Sequence, residues 1–241
     1  MTAASIRNRT RDLEQKVALV TGGAHGLGRH TCSALAWAGA RVVVVDIDER
    51  GGDAVARAVG GAFIAADLSQ SDVNHDVVAA AMEQYGRLDL VHLGPSTSAD
   101  PVRYRETTST MVDRVTYGTQ AALPAFEATG GGGAIVAASS GPSRDPTDVA
   151  SDHALIGLAR VLGAVLAPRQ VRFNAVLPDA RAHLAEATPV DDLYDKLVRT
   201  VDSASAGDAV VALLAGETSG ECWLVRSSRD DAQRPPSALR A

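Results

Sequence analysis

The run Val17-Ala18-Leu19-Val20-Thr21-Gly22-Gly23-Ala24-His25-Gly26-Leu27-Gly28 decides the fold. Its apolar first half reads as a buried parallel strand, because both faces of such a strand are covered. A glycine-dense turn follows, then the helix-like segment Arg29–Ala38. The spacing Gly22-x-x-x-Gly26-x-Gly28 suits a backbone that bends sharply and comes close to a ligand. Amides opening the next helix then face an anion, which the helix dipole favours. The physical reading is a pyrophosphate cradle, against the plainer one of a tight strand–helix turn with no ligand.

The next apolar run, Arg41–Val45, ends in Asp46. That is about where a carboxylate meets the hydroxyls of an adenosine ribose. A carboxylate there repels a 2′-phosphate, so NAD is favoured over NADP. His25, inside the turn, could offset part of that repulsion. A solvated acid at a strand end is the alternative for Asp46.

The wider chain fits this start. It has 241 residues, 46% hydrophobic and few aromatic, which suits one α/β domain with a sizeable core. The net charge is −6 and no basic block stands out, which argues against nucleic acid as a partner. No apolar run reaches the roughly 18 residues a membrane span requires. The N-terminus lacks the apolar core of a secretory signal. Cys32 and Cys222 lie far apart without metal-type spacing, so a reduced, cytoplasmic protein is expected and no metal site.

Strands are expected at Lys16–Thr21, Arg41–Asp46, Ala62–Ala66, Leu88–Leu93, Ala134–Ala138, Val171–Val176 and Glu221–Val225. Helices are expected at Gly26–Gly39, Arg50–Val59, Ser71–Tyr85, Thr107–Ala128 (bent at Pro124), Thr147–Ala167, Pro189–Val201 and Ala206–Leu214. The alternation predicts a single Rossmann-type doubly wound parallel sheet over residues 14–226, between tails at 1–13 and 227–241. Ligands then bind at the carboxyl ends of the strands.

Thr21-Gly22-Gly23-Ala24-His25-Gly26-Leu27-Gly28 resembles the cofactor turn of the short-chain dehydrogenase/reductases. Further matches follow in order: Ala66-Asp67-Leu68, Gly86-Arg87-Leu88-Asp89, Ala134-Ile135-Val136 leading to Ser139-Ser140, and Val171-Arg172-Phe173-Asn174-Ala175-Val176-Leu177-Pro178. The resemblance implies NAD as cofactor, held by Gly22, Ala24, His25, Gly26, Leu27 and Gly28 in the turn. Asp46 and Ile47 would meet the ribose side, and Asp67 and Leu68 the adenine. Gly94 and Pro178 would lie toward the nicotinamide.

The chemistry resembles the family less. Its members place a serine at the end of strand five, a tyrosine in the next helix and a lysine one helical turn later. The cation lowers the phenol's pKa, which otherwise sits near 10. Ser140, or its neighbour Ser139, stands at the serine position. Matching Ser151-Asp152-His153-Ala154-Leu155 and Gly157-Leu158 to the family helix puts Asp152 at the lysine position and Asp148 at the tyrosine position. Lys16 and Lys196 are the only lysines, and none of Tyr85, Tyr104, Tyr117 and Tyr194 has a lysine four residues on. After strand four the usual Asn-Asn-Ala-Gly is replaced by His92-Leu93-Gly94-Pro95. The glycine expected after Pro178 is Asp179, and the following segment, with His183, is short.

The leading expectation is therefore an NAD(H)-binding family member with a degenerate catalytic site. It would serve as a non-catalytic subunit, in a homo-oligomer or paired with an active paralogue through the two long helices. A second reading is a repurposed lyase, dehydratase or isomerase on a small-molecule substrate. Ser140, Asp148, Asp152, His92 and His153 are its acid–base candidates, since paired carboxylates can push one pKa upward. The ordinary reading of acids four apart is a solvated helix face. A third reading is a working dehydrogenase with an unusual proton donor.

Overall fold

The computed structural model describes residues 13–94, 104–140, 146–178, 198–203 and 205–227. Strand β1 (Val17–Thr21) is fully buried and leads through the glycine turn into α1 (Gly26–Trp37). β2 (Arg41–Asp46) carries four consecutive valines, all buried. α2 (Glu49–Val59) is capped by the Asp48 carboxylate, which accepts the Gly51 N–H, and ends at Gly60 in the left-handed region. β3 (Ala62–Ala65) and α3 (Ser71–Tyr85) follow, then β4 (Leu90–Leu93) and α4 (Tyr104–Ala128), a helix that runs through Pro124. β5 (Gly133–Ala138), α5 (Pro146–Val165), β6 (Val171–Pro178), β7 (Arg199–Ser203), α6 (Ala206–Ala215) and β8 (Cys222–Ser227) complete the order.

All eight strands are parallel, in the order β3-β2-β1-β4-β5-β6-β8-β7. One face is covered by α3, α4 and α5, where Phe126, Ile135, Leu155 and Phe173 are fully buried. The other is covered by α1, α2 and α6, with Leu35, Val44 and Leu213 inside. The doubly wound α/β expectation therefore holds.

Two expectations are corrected. The expected helix Pro189–Val201 does not extend to its end: Arg199–Val201 belong to β7, an edge strand paired in parallel with β8. Trp223 on β8 draws the segment in, since the Arg199 guanidinium stacks 5.7 Å from its ring. The Trp223 Nε1–H donates to Glu221 at 2.5 Å, and Arg199 Nη1 lies 3.7 Å from the same carboxylate. Ser227, expected to open the polar tail, is likewise a strand residue, the last of β8. Residues 189–197 of that expected helix, most of the terminal tails, and Pro95, Asp179 and His183 lie outside the described residues.

Lys16 sits at the amino end of β1, the edge opposite the glycine turn. Its Nζ lies 2.9 Å from Asp89, which also takes Arg87 Nη2 at 2.6 Å and the Val17 N–H. Burial pushes Asp89 up, but Arg87, the Val17 amide and Lys16 together outweigh it and hold the carboxyl below its usual range. One of the chain's two lysines is thus committed to clamping β1 against the start of β4.

Candidate functional site: a dinucleotide groove along the carboxyl edge

The groove begins at the turn after β1. Gly22 (φ 64°) and Gly26 (φ 45°) occupy the left-handed region. A Cβ on Gly28 would fall 2.0 Å from the Gly22 carbonyl oxygen, so only glycine lets the helix start this close to the strand end. α1 opens with His25 at its N-cap, no capping side chain and no acid in its first turn. Its first amides are thus left for an anionic ligand. Leu27 packs its side chain on the core behind them.

Asp46 ends β2 and is buried. One carboxylate oxygen accepts the Ala24 N–H at 2.9 Å and the other the Asp48 N–H at 3.0 Å, which ties the turn to the loop after β2. His25 Nε2 lies 2.8 Å from the exposed Asp48 carboxylate. His25 is therefore engaged with Asp48. The amide of Gly51, then the His25 contact, hold Asp48 below its usual range against burial. Ile47 is 71% exposed beside them.

Past β3, Asp67 is exposed and accepts the Ser69 N–H at 3.0 Å. The side-chain amide of Asn74 donates to the carbonyls of Leu68 and Gln70 and fixes that loop. Arg114 on α4 is a residue that sequence reasoning missed. Burial lowers its guanidinium pKa, while Asp67 and Asp46 oppose that shift, so it faces the acids of the adenosine end. Its Nε is buried without a hydrogen-bond partner. Nothing in the local pattern around Arg114 marks it, since helix phase alone brings it to the groove.

At the end of β4, the Gly94 N–H donates to the Thr21 hydroxyl at 2.9 Å, and a Cβ there would lie 2.3 Å from the Thr21 carbonyl. His92, two residues earlier, is fully buried on the face of Val20 and Val136. Its Nδ1–H donates to the Val136 carbonyl at 3.1 Å, and Nε2 has no partner. Burial pulls its pKa down to about 4, leaving the ring neutral beneath the groove.

The far end gathers around β5 and α5. Ser139 is buried and its hydroxyl lacks a well-formed hydrogen bond, whereas Ser140 is exposed. Asp152 is only 3% exposed, so it does not lie on a solvated helix face. Burial raises its pKa to about 6; the Ser139 hydroxyl and His153 pull it down, and Asp148, one turn earlier, pushes it up. His153 itself is exposed and donates from Nδ1 to the Val149 carbonyl of its own helix. Asp152 also acts on Cys222, whose thiol burial pushes up to about 12. Among the described residues no lysine or arginine forms an ion pair with Asp152. Pro178 closes β6, one strand further on. Thr116 on α4 donates its hydroxyl to the Val112 carbonyl of its own helix.

A doubly wound parallel sheet with a glycine turn, an uncapped helix start and an acid ending β2 defines a dinucleotide-binding α/β protein. The chain belongs to the short-chain dehydrogenase/reductase family: the short chain dehydrogenase family model matches residues 16–183. It is 30% identical over 184 residues to the short-chain dehydrogenase reductase ATA1 of Arabidopsis thaliana, covering 71% of this chain and 68% of that protein. It is 31% identical over 214 residues to the D-threitol dehydrogenase of Mycolicibacterium smegmatis, covering 78% and 80%. The crystal structure of carveol dehydrogenase from Mycobacterium avium in complex with NAD has the same fold, with TM-score 0.69 and 22% identity over 90% of this chain and 98% of that one. Among the described residues no helix is long and apolar enough to cross a membrane, and no cluster of side chains could hold a metal ion.

Proposed function

We propose that this protein binds NAD(H) through the glycine turn, Asp46 and Asp67, and is a non-catalytic member of its family that works as a subunit of an oligomeric oxidoreductase. Bound NAD would supply a hydride-accepting ring; the chain's own residues would hold the pyrophosphate and adenosine. The observation that carries the non-catalytic reading is Asp152, a buried carboxyl that pairs with no lysine or arginine among the described residues. The resemblance sets it at the position of the lysine that activates the family's tyrosine. The relatives' activities support the cofactor assignment, while this replacement argues against the hydride chemistry. Val161 and Val165, 59% and 62% exposed one turn apart on α5, support burial of that helix against another chain.

Calorimetric titration with NAD tests the cofactor half. Binding that Asp46→Arg abolishes is the expected result, and none at millimolar NAD would overturn it. Reduced-nicotinamide absorbance with a panel of alcohols and ketones tests the other half, since turnover would restore a working dehydrogenase. Purification with and without a co-encoded paralogue tests the subunit role.

Asp152 also favours a second reading. A carboxyl titrating at about 6 beside the Ser139 hydroxyl is suited to general acid–base work without hydride transfer. Proton exchange at the α-carbon of a small carbonyl compound, lost in Asp152→Asn, is its signature.

A further inference from the structure

The groove has a direction. Asp46 ends β2, the glycine turn follows β1, Gly94 follows β4 and Ser139 follows β5, and these four strands are consecutive in the sheet. With neighbouring strands about 4.8 Å apart, the span from β2 to β5 is roughly 14 Å. A dinucleotide with its adenosine at Asp46 and its pyrophosphate at Gly28 therefore lays its nicotinamide end toward Ser139 and α5. There it would approach Asp152, 3% exposed, Asp148 on the same helix face, and a buried Ser139 hydroxyl that acts on Asp152 but lacks a well-formed hydrogen bond.

Resting on the NAD-binding reading above, we infer that the Asp152, Asp148 and Ser139 end of the groove makes the protein selective for the oxidised cofactor. The nicotinamide ring of NAD carries a positive charge, and that of the reduced form is neutral. Carboxylates in a partly desolvated cleft stabilise the first and offer nothing comparable to the second. A lysine at the same position would act in the opposite sense. The protein would then report the oxidised state of the nicotinamide pool to whatever it is joined to.

The preference depends on ionisation of Asp152. Among the described residues the titratable groups acting on it are Asp148 and His153 from its own helix. From β8 it faces Cys222, a neutral thiol across the working range that Arg160 also influences. Burial sets the Asp152 carboxyl to about 6, so its charge, and the selectivity with it, grows as pH rises through that value.

The test measures dissociation constants for oxidised and reduced NAD, with ADP-ribose as the control lacking the ring, at about pH 5 and about pH 8. The expected result is oxidised NAD bound roughly ten-fold more tightly at the higher pH, with the ratio falling toward one at the lower. Asp152→Asn and Asp148→Asn should each lower the ratio at high pH, while ADP-ribose binding stays unchanged and certifies the fold. Equal affinity for the two redox forms at high pH, or a ratio the variants leave intact, overturns the inference. If ADP-ribose fails to bind the native protein, the NAD-binding reading fails and takes this inference with it; if ADP-ribose binds and the redox forms do not differ, only the inference fails.

Discussion

Both oxygens of Asp46 are occupied by backbone amides, so this side chain shapes the turn as well as the ligand site. Asp46→Ala would orphan the Ala24 and Asp48 amides, at about 1–3 kcal/mol for a buried one. A lowered melting temperature together with weakened NAD affinity is the expected outcome, read by calorimetry. Gly28→Ala pushes a methyl into the Gly22 carbonyl, with an overpacking cost of about 1–3 kcal/mol and a displaced helix start; NAD titration should show binding lost. Asp152 has the opposite pH signature to a paired acid. Its folded pKa of about 6 lies above the unfolded value of about 3.9, so stability is greatest at low pH and falls as pH rises between the two. Asp152→Asn should raise the melting temperature above about pH 7, by about 2–3 kcal/mol in stability, and change little near pH 4. Thermal melts across that range decide it. Asp46 was legible because an acid closing a valine run is a spacing signal. The burial of Asp152 was not, because acids four apart look solvated until the sheet beneath the helix is known. Ser139 and Ser140 are adjacent in sequence, and only the strand's alternation tells which one is enclosed.

Among the elements, the helices with strong punctuation were legible: α2 between the Asp48 cap and Gly60, and α3 ending at Gly86 in the left-handed region. β7 was not, because its strand character comes from a neighbour distant in sequence. Arg199 is held by Trp223 and Glu221, and no local period announces that. The oligomerisation proposed above would use the outer face of α5, where Val161 and Val165 are exposed. Val161→Glu with Val165→Glu places charge on that face, so sedimentation should show a shift to a smaller species. The folded protein should keep its NAD affinity, since both valines point away from the groove and are largely exposed.

For the molecule as a whole, a ligand that binds only the folded state stabilises it by mass action. At about a hundred times Kd the gain is about 2.7 kcal/mol, worth roughly 5–10 °C for a domain of this size. NAD should raise the melting temperature accordingly, and Asp46→Arg should abolish the rise. The parallel architecture was readable because every buried strand is a near-continuous apolar run followed by turn chemistry. The cluster of Ser139, Asp152 and Cys222 gathers groups from β5, α5 and β8, whose proximity no stretch of sequence encodes.

The chain's two sulfhydryls lie on opposite faces of the sheet, Cys32 near the glycine turn and Cys222 near Asp152. Cys32 Sγ would lie 3.4 Å from a Cβ placed on Gly23, and Cys222 neighbours Asp152. Both are buried and both stay protonated, so an alkylating reagent reaches them only when the covering segment opens. Nature has thus installed a matched pair of opening gauges, and mass spectrometry can follow them separately. A molecule that clamps the adenylate side should slow modification of Cys32, and one that engages the ring side should slow that of Cys222.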